Sequence, residues 1–284
     1  MKENFKIGII GNGFVGSAVY FGFSPQTNCD ADVKIYDRDP IKSTHSLETT
    51  VNDSEYIFLS VPTPSNPDGS MNIDILESAL SDIDRVKTNN PVILIRSTII
   101  PGTTAKLQEK YSNLRLVFNP EFLTERSAKF DFINQSRFIL GGEEINTNAV
   151  AELYRWRFGD TVCIIETNFE TAEMIKYMNN CFFATKVSFM NEMRMVADRC
   201  GVDWNTAAEG FVRDGRIGHS HIAVPGPDGK FGFGGSCFPK DIRAMIDFGD
   251  TLGLDMDTLK GVWSTNLEVR PDKDWENLKG RSVI

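Results

Sequence analysis

The sequence predicts an α/β fold in which a doubly wound parallel sheet is followed by an all-helical domain. Three observations carry this. Short apolar runs alternate with helix-like segments through the first half. A glycine-rich turn follows the first run and opens a helix. Beyond residue 166 the short runs stop and long helical patterns take over.

Strands are expected at Phe5–Ile10, Val33–Tyr36, Tyr56–Val61, Val92–Ile95, Leu114–Phe118, Phe138–Leu140 and Val162–Ile165. Each run is short and β-rich, as strands buried on both faces are. Glu170–Arg199 reads as one helix because neither Pro nor Gly interrupts it. Further helices are expected at Trp204–Val212, Asp241–Leu252 and Asp255–Val269, with a Gly- and Pro-rich loop from Arg213 to Pro239. This gives a first domain at 1–166, a helical domain at 167–275 and a last segment at 276–284.

The net charge of −9 and the lack of a long basic run argue against nucleic acid or an anionic membrane as partner. A few local cations could still hold an anionic substrate. Five cysteines, an odd number without a CxxC pair, read as reduced thiols. Cys29, Cys163, Cys181 and Cys200 read as buried structural residues. Three histidines without ligand spacing suggest no metal. The N-terminus runs directly into a strand pattern, and no apolar stretch approaches the roughly 20 residues that span a bilayer. A soluble, cytoplasmic protein is expected.

Gly11-Asn12-Gly13-Phe14-Val15-Gly16 lies between the first strand and its helix. The first glycine suits a tight turn, the second a close approach of backbone to pyrophosphate, and the third close packing of helix on sheet. A pyrophosphate would sit at the helix N-terminus, where free N–H groups favour anions. Asp37 ends the second strand and can accept hydrogen bonds from a ribose, favouring NAD over NADP. The adjacent Arg38 weakens that preference slightly. The bland alternative is a glycine turn without a ligand. The strand-helix-strand-acid context favours a Rossmann-type dinucleotide site.

Cys237 follows a glycine-crowded stretch, Phe231-Gly232-Phe233-Gly234-Gly235-Ser236, and precedes Pro239, Lys240 and Asp241. A helix start and a nearby cation lower a thiol's pKa and produce a thiolate nucleophile. Lys176 and Asn180 lie four residues apart and share a helix face, where an amine and an amide can stabilise an oxyanion. A lysine on such a helix would more often be a solvated charge.

The Cys237 loop resembles the catalytic-cysteine loop of the UDP-glucose/GDP-mannose dehydrogenase family. Four more segments resemble that family in order: Val61-Pro62-Thr63-Pro64; Ser97-Thr98 with Pro101-Gly102-Thr103; Asn119-Pro120-Glu121-Phe122-Leu123-Thr124-Glu125; and Ala172-Glu173 with Lys176-Tyr177 and Asn180, continuing to Asn191-Glu192. The resemblance implies oxidation of a nucleotide sugar's C6 alcohol to a carboxylate with two NAD, UDP-glucose being the default. Cys237 would form a thiohemiacetal and then a thioester. Asp241 and Thr98 would hold water, Glu125 would act as base or water activator, and Lys176 and Asn180 would stabilise oxyanions. It further implies cofactor contacts at Gly11, Gly13, Phe14, Val15, Gly16, Asp37, Thr63, Thr98 and Lys240. Substrate contacts would fall at Glu121, Phe122, Leu123, Lys176, Asn180, Arg216 and Gly234, with Arg216 reaching a neighbouring subunit. The long helix would be a dimer helix, making the protein a homodimer.

Departures from the family are Thr124, where arginine or alanine is common, and Val224-Pro225-Gly226-Pro227-Asp228-Gly229-Lys230, longer than many members carry. The family's third α/β domain would be represented only by Leu278–Ile284. Two other readings stand beside this one. A β-hydroxyacid-type dehydrogenase performs a single oxidation and needs no cysteine. A non-catalytic protein could bind NAD or a nucleotide sugar without turnover, though binding alone requires no thiol nucleophile.

Overall fold

The computed structural model describes residues 4–284. The chain forms two compact units, one of residues up to Thr63 with Ile73–Lys176, the other of Pro64–Asn72 with Tyr177–Ile284.

The first unit contains β1 (Lys6–Ile10), α1 (Phe14–Gly22), β2 (Asp32–Tyr36), α2 (Leu47–Asn52), β3 (Tyr56–Leu59), α3 (Asp74–Val86), β4 (Val92–Ile95), α4 (Thr103–Lys110), β5 (Arg115–Phe118), α5 (Ala128–Ile133), β6 (Phe138–Gly142), α6 (Glu144–Phe158) and β7 (Ile164–Thr167). The strands lie in the order β2-β1-β3-β4-β5-β6-β7. The chain moves from β1 to one side and then to the other, so the crevice above β1 and β3 is the topological switch point where α/β sheets bind ligands. Ile10, Leu59, Ile95 and Phe118 stand level across the strands, so the segments after β1, β3, β4 and β5 leave the sheet at one edge.

The sheet is not wholly parallel, as the sequence pattern had suggested. β6 runs antiparallel to β5, and only Val117↔Gly142 and Phe118↔Gly141 pair. Residues 119–137 include only the short α5, so the chain re-enters from the edge it left, without a crossover helix. β7 then runs parallel to β6 through the α6 crossover. The two-pair overlap shifts β6 and β7 toward that edge. The next helix, α7 (Phe169–Cys200), therefore starts beside the C-terminal end of β5.

The core joins Ile7, Ile9, Phe58, Leu94, Val117 and Leu140 of the sheet to Val19, Phe23, Phe132 and Tyr154 of the helices. Burying each such side chain contributes about 1.5–3 kcal/mol. Phe138 stacks on Tyr154 at 4.0 Å, and burial pushes the Tyr154 hydroxyl up to about 12, keeping it a neutral donor. That hydroxyl and Arg96 both donate to the Asn119 side-chain oxygen, at 2.6 and 2.5 Å. Asn119 in turn donates to the Ile139 carbonyl at 2.9 Å, fixing the start of the segment after β5.

The second unit holds most of α7, with α8 (Trp204–Val212), α9 (Phe238–Thr251) and α10 (Asp257–Val269). Asp203 caps α8 by accepting from the Asn205 and Thr206 amides. α9 begins three residues earlier than its sequence pattern suggests, because Pro239 in a first helical turn needs no N–H partner. α10 begins after Met256, whose left-handed φ of 48° ends the preceding loop. The Ser188 hydroxyl donates to Val262 at 2.9 Å and Thr265 to Glu192 at 2.6 Å, tying α7 to α10. The final residues form no strand of several residues. Val283 makes single-residue bridges to Ser65 and Lys279.

Candidate functional site

In the first unit the glycine turn lies at the switch point. Gly11 has φ +91°, a conformation that favours glycine. A Cβ on Gly16 would lie 2.1 Å from the Gly11 carbonyl oxygen, so helix α1 and the turn touch there without room for a methyl group. Gly13 differs. Its φ of −79° suits any residue, and a Cβ there would meet nothing within 4 Å. The fold itself does not need this glycine, whereas a ligand backbone lying across the turn would. No side chain caps α1, and no acid lies in its first turn. Its N-terminal amides therefore suit a pyrophosphate. The Asp37 carboxylate accepts from the Asn12 amide at 2.6 Å and the Asp39 amide at 2.9 Å, and keeps lone pairs for ribose hydroxyls. The residues present thus fit NAD. Thr63 is buried and donates to the Thr98 carbonyl at 2.7 Å, while Ser97 donates to Val61 at 2.6 Å, stitching the ends of β3 and β4 together.

Lys176 and Glu121 form a second cluster. Lys176 is only 3% exposed, not the solvated charge common on helices. Its ammonium donates to the Glu121 carbonyl at 2.6 Å and to the Glu121 carboxylate at 2.9 Å. The other carboxylate oxygen accepts from the Leu123 amide at 2.7 Å. The Phe122 ring faces Lys176 at 5.5 Å and the Arg137 guanidinium at 4.4 Å. The backbone of residues 121–123 is thereby tied down by the Glu121 side chain and the Lys176 ammonium. Glu125 is exposed and Thr98 half-buried.

Glu173, quoted above only as part of a motif, has a distinct place. It is fully buried and caps α4, accepting from Gly102 N at 2.6 Å, Thr104 N at 2.8 Å and the Thr104 hydroxyl at 2.6 Å. Burial drives its pKa up to about 7; the Thr104 and Gly102 donors oppose that rise and the nearby Glu170 adds to it. The sequence signal was a helix start at Gly102-Thr103-Thr104 lacking a capping side chain of its own.

In the second unit Cys237 is the N-cap residue of α9, half-buried, with Ser236 Oγ 3.8 Å from its sulfur. One turn on, Asp241 is 1% exposed and has both oxygens engaged, by Lys240 Nζ at 2.6 Å and by Asn180 Nδ2 at 2.6 Å. A helix N-terminus stabilises a thiolate, and the Asn180–Asp241 contact brings the α7 amide to the same first turn. Cys181, next to Asn180 on α7, is buried; burial and the Asp241 charge raise its pKa, so it stays a protonated thiol.

Arg216 is exposed and pairs with Asp214 within its own loop. At Gly234 the space of a Cβ is taken by Arg270 and Asp274. Cys29 and Cys181 are buried, but Cys163 and Cys200 are exposed, contrary to expectation. Cys163 immediately precedes edge strand β7, and Cys200 ends α7, so neither reaches the core. Among the described residues no group of acids, histidines and cysteines could hold a metal, and no helix is long and apolar enough to cross a membrane.

These features define an α/β dinucleotide-binding unit followed by a helical unit with a cysteine at a helix start. Residues 32–157 match the UDP-glucose/GDP-mannose dehydrogenase family, NAD binding domain, and residues 170–268 match the same family, central domain. The chain belongs to the UDP-glucose/GDP-mannose dehydrogenase family. The protein MJ1054 of Methanocaldococcus jannaschii is 38% identical over 221 residues, which span 75% of this chain and 24% of that protein. UDP-glucose 6-dehydrogenase TuaD of Bacillus subtilis is 31% identical over 299 residues, spanning 93% of this chain and 63% of that protein. The chain thus spans less than two-thirds of either relative. Among solved structures, a UDP-glucose dehydrogenase from Pyrobaculum islandicum superposes with a TM-score of 0.81 at 29% identity, covering 94% of this chain and 68% of that one.

Proposed function

We propose that the protein oxidises the C6 alcohol of a nucleotide sugar to a carboxylate, with UDP-glucose as substrate, through a thioester on Cys237. The observation that carries this reading is the placement of Cys237 as the N-cap of α9, with Asn180 bonded to Asp241 one turn further on. NAD, when bound, accepts the hydride of each of two successive oxidations. Gly13 and the α1 N-terminus would hold its pyrophosphate and Asp37 its ribose.

In the first oxidation the alcohol loses a proton and a hydride and becomes an aldehyde. The Cys237 thiolate then adds to the carbonyl carbon, forming a C–S bond, and the resulting oxyanion takes up a proton. Lys176 and Asn180 are the donors assigned to that negative charge. Loss of a second hydride and the hydroxyl proton leaves a thioester. Water adds to it, the C–S bond breaks, and the carboxylate leaves with the thiol restored. Asp241 and Thr98 are assigned to hold this water and Glu125 to activate it. Covalent capture keeps the aldehyde from escaping between oxidations. Glu121, Phe122, Leu123 and Gly234 are assigned to bind the sugar nucleotide, and Lys240 to a place near the cofactor.

The active form is a homodimer built on α7. Met174, Met178, Phe182, Phe189, Met193 and Val196 are all exposed, between 38% and 64%. At 3.6 residues per turn they fall within an arc of roughly 100°, an apolar stripe suited to a second copy. Arg216, exposed in its loop, is assigned to the partner's substrate.

The test is NADH formation with NAD and a panel of nucleotide sugars, counted per sugar consumed. The expected result is about two NADH per UDP-glucose, abolished by Cys237→Ala. One NADH per sugar, or turnover that survives Cys237→Ala, would sink the thioester route.

A further inference from the structure

The extra turn at residues 225–230 looks at first like a surface insertion. It is closed by its own bonds, Gly226 N to the Lys230 carbonyl at 2.7 Å and Lys230 N to Asp228 Oδ1 at 3.1 Å. The other Asp228 oxygen leaves the turn and meets Arg270 at 2.8 Å. Arg270 ends α10, and its side chain is only 3% exposed. Its fork is almost fully used. Nε and Nη2 bind Asp274 at 2.9 and 2.7 Å, and Nη1 donates to the Phe231 carbonyl at 3.2 Å.

The guanidinium therefore joins the extra turn to the backbone that leads into Cys237. The contact continues along that backbone. The Phe233 amide donates to Asn266 Oδ1 at 2.7 Å, and Asn266 Nδ2 donates back to the Phe233 carbonyl at 3.0 Å. The Gly232 amide donates to Asn191 at 3.1 Å. A Cβ on Gly234 would lie 2.4 Å from Arg270 Nη2 and 2.5 Å from Asp274 Oδ1, so the ion cluster presses against the chain three residues before the cysteine.

We propose that Asp228 and Arg270 are positioning residues: their ion pair clamps the glycine stretch so that the Cys237 sulfur stays at the N-terminus of α9. The proposal deepens the reading of Cys237 as nucleophile and rests on it. Without the Asp228 carboxylate, Arg270 keeps Asp274 but loses the bond that runs to the turn. The glycine stretch, which Phe233 alone anchors by a buried ring while Phe231 is exposed, then moves relative to the helix start, and the thiolate loses part of the dipole's stabilisation.

Asp228→Asn is the test variant because it keeps an oxygen for the Lys230 amide and removes only the charge facing Arg270. Lys230→Gln is its control: that lysine, in the same turn as Asp228, pairs with Asp272 beyond α10, with both partners about half exposed. Alkylation of Cys237 by iodoacetamide is followed by mass spectrometry at that peptide from pH 6 to 9, on the full chain, together with turnover and thermal midpoint. We expect Asp228→Asn to slow alkylation at pH 7 about tenfold, corresponding to an upward move of the thiol profile by about one pH unit. kcat falls with it while KM for NAD holds, Lys230→Gln matches the wild type, and Asp228→Glu restores the profile. Arg270→Lys, which keeps the charge and loses the fork, acts in the same direction as Asp228→Asn. An Asp228→Asn profile that superimposes on the wild type overturns the proposal, as does an equal effect in Lys230→Gln. Alkylation needs no turnover, so it decides the positioning role even if Cys237→Ala leaves carboxylate formation intact, a result that would remove the catalytic reading alone.

Discussion

Replacing Glu173 with Gln gives a stability change whose sign of pH dependence can be worked out beforehand. Both carboxylate oxygens accept backbone amides, from Gly102 and Thr104. A Gln must turn its NH2 toward one of them, setting donor against donor in a buried site. Leaving one amide without an acceptor costs about 1–3 kcal/mol. The pH term acts the other way. Burial raises the Glu173 pKa from an ordinary 4.5 to about 7. For an acid raised on folding, its favourable contribution is complete below pH 4.5 and is lost as pH rises through 7, over a span of about 3 kcal/mol. Gln does not titrate. The variant should therefore melt several degrees below the wild type at pH 4.5, at roughly 2–4 °C per kcal/mol for a chain of this size. The gap should close or reverse by pH 8. Thermal melts across pH 4.5–8 supply the measurement. A gap that widens with pH would mean that the three donors outweigh burial and hold an ionised carboxylate, refuting the reasoning.

Two glycines three residues apart, Gly13 and Gly16, should respond differently. Gly16→Ala drives a methyl group into the Gly11 carbonyl and should lower both thermal midpoint and NAD affinity, whereas Gly13→Ala should leave the midpoint unchanged and weaken NAD at least tenfold, as isothermal titration would read; equal melting losses in both would contradict the ligand-based account of Gly13. On α7, Phe182→Glu places a charge in the apolar stripe and should convert the proposed dimer to monomer in light scattering at micromolar concentration, while an unchanged mass would place any self-association elsewhere.

Much of the first unit was legible because its strands are short apolar runs that both faces bury. Val92–Ile95 is buried at every position and was read with the correct ends. The reversal at β6 was not, because pairing direction depends on how residues 119–137 return, and no local pattern records that. The place of Cys237 at a helix start was readable from the glycines before it and the proline after it. The burial of Lys176 was not, since a lone amphipathic helix cannot say that Glu121 will arrive above it. The roles of Asn266 and Arg270 are hidden for the same reason: their partners in the loop before Cys237 lie 33 to 42 residues away in sequence.

The two exposed thiols, Cys163 and Cys200, bear on how the protein must be handled. In air, surface thiols on separate copies couple into covalent pairs, and a chain with two of them can go on to form longer chains. A preparation stored without reductant would show ladders on a non-reducing gel that owe nothing to the α7 stripe, and Phe182→Glu would leave those ladders in place. Replacing both cysteines with serine removes the two exposed thiols while sparing Cys237, and with reductant present makes the association state a readout of noncovalent contact.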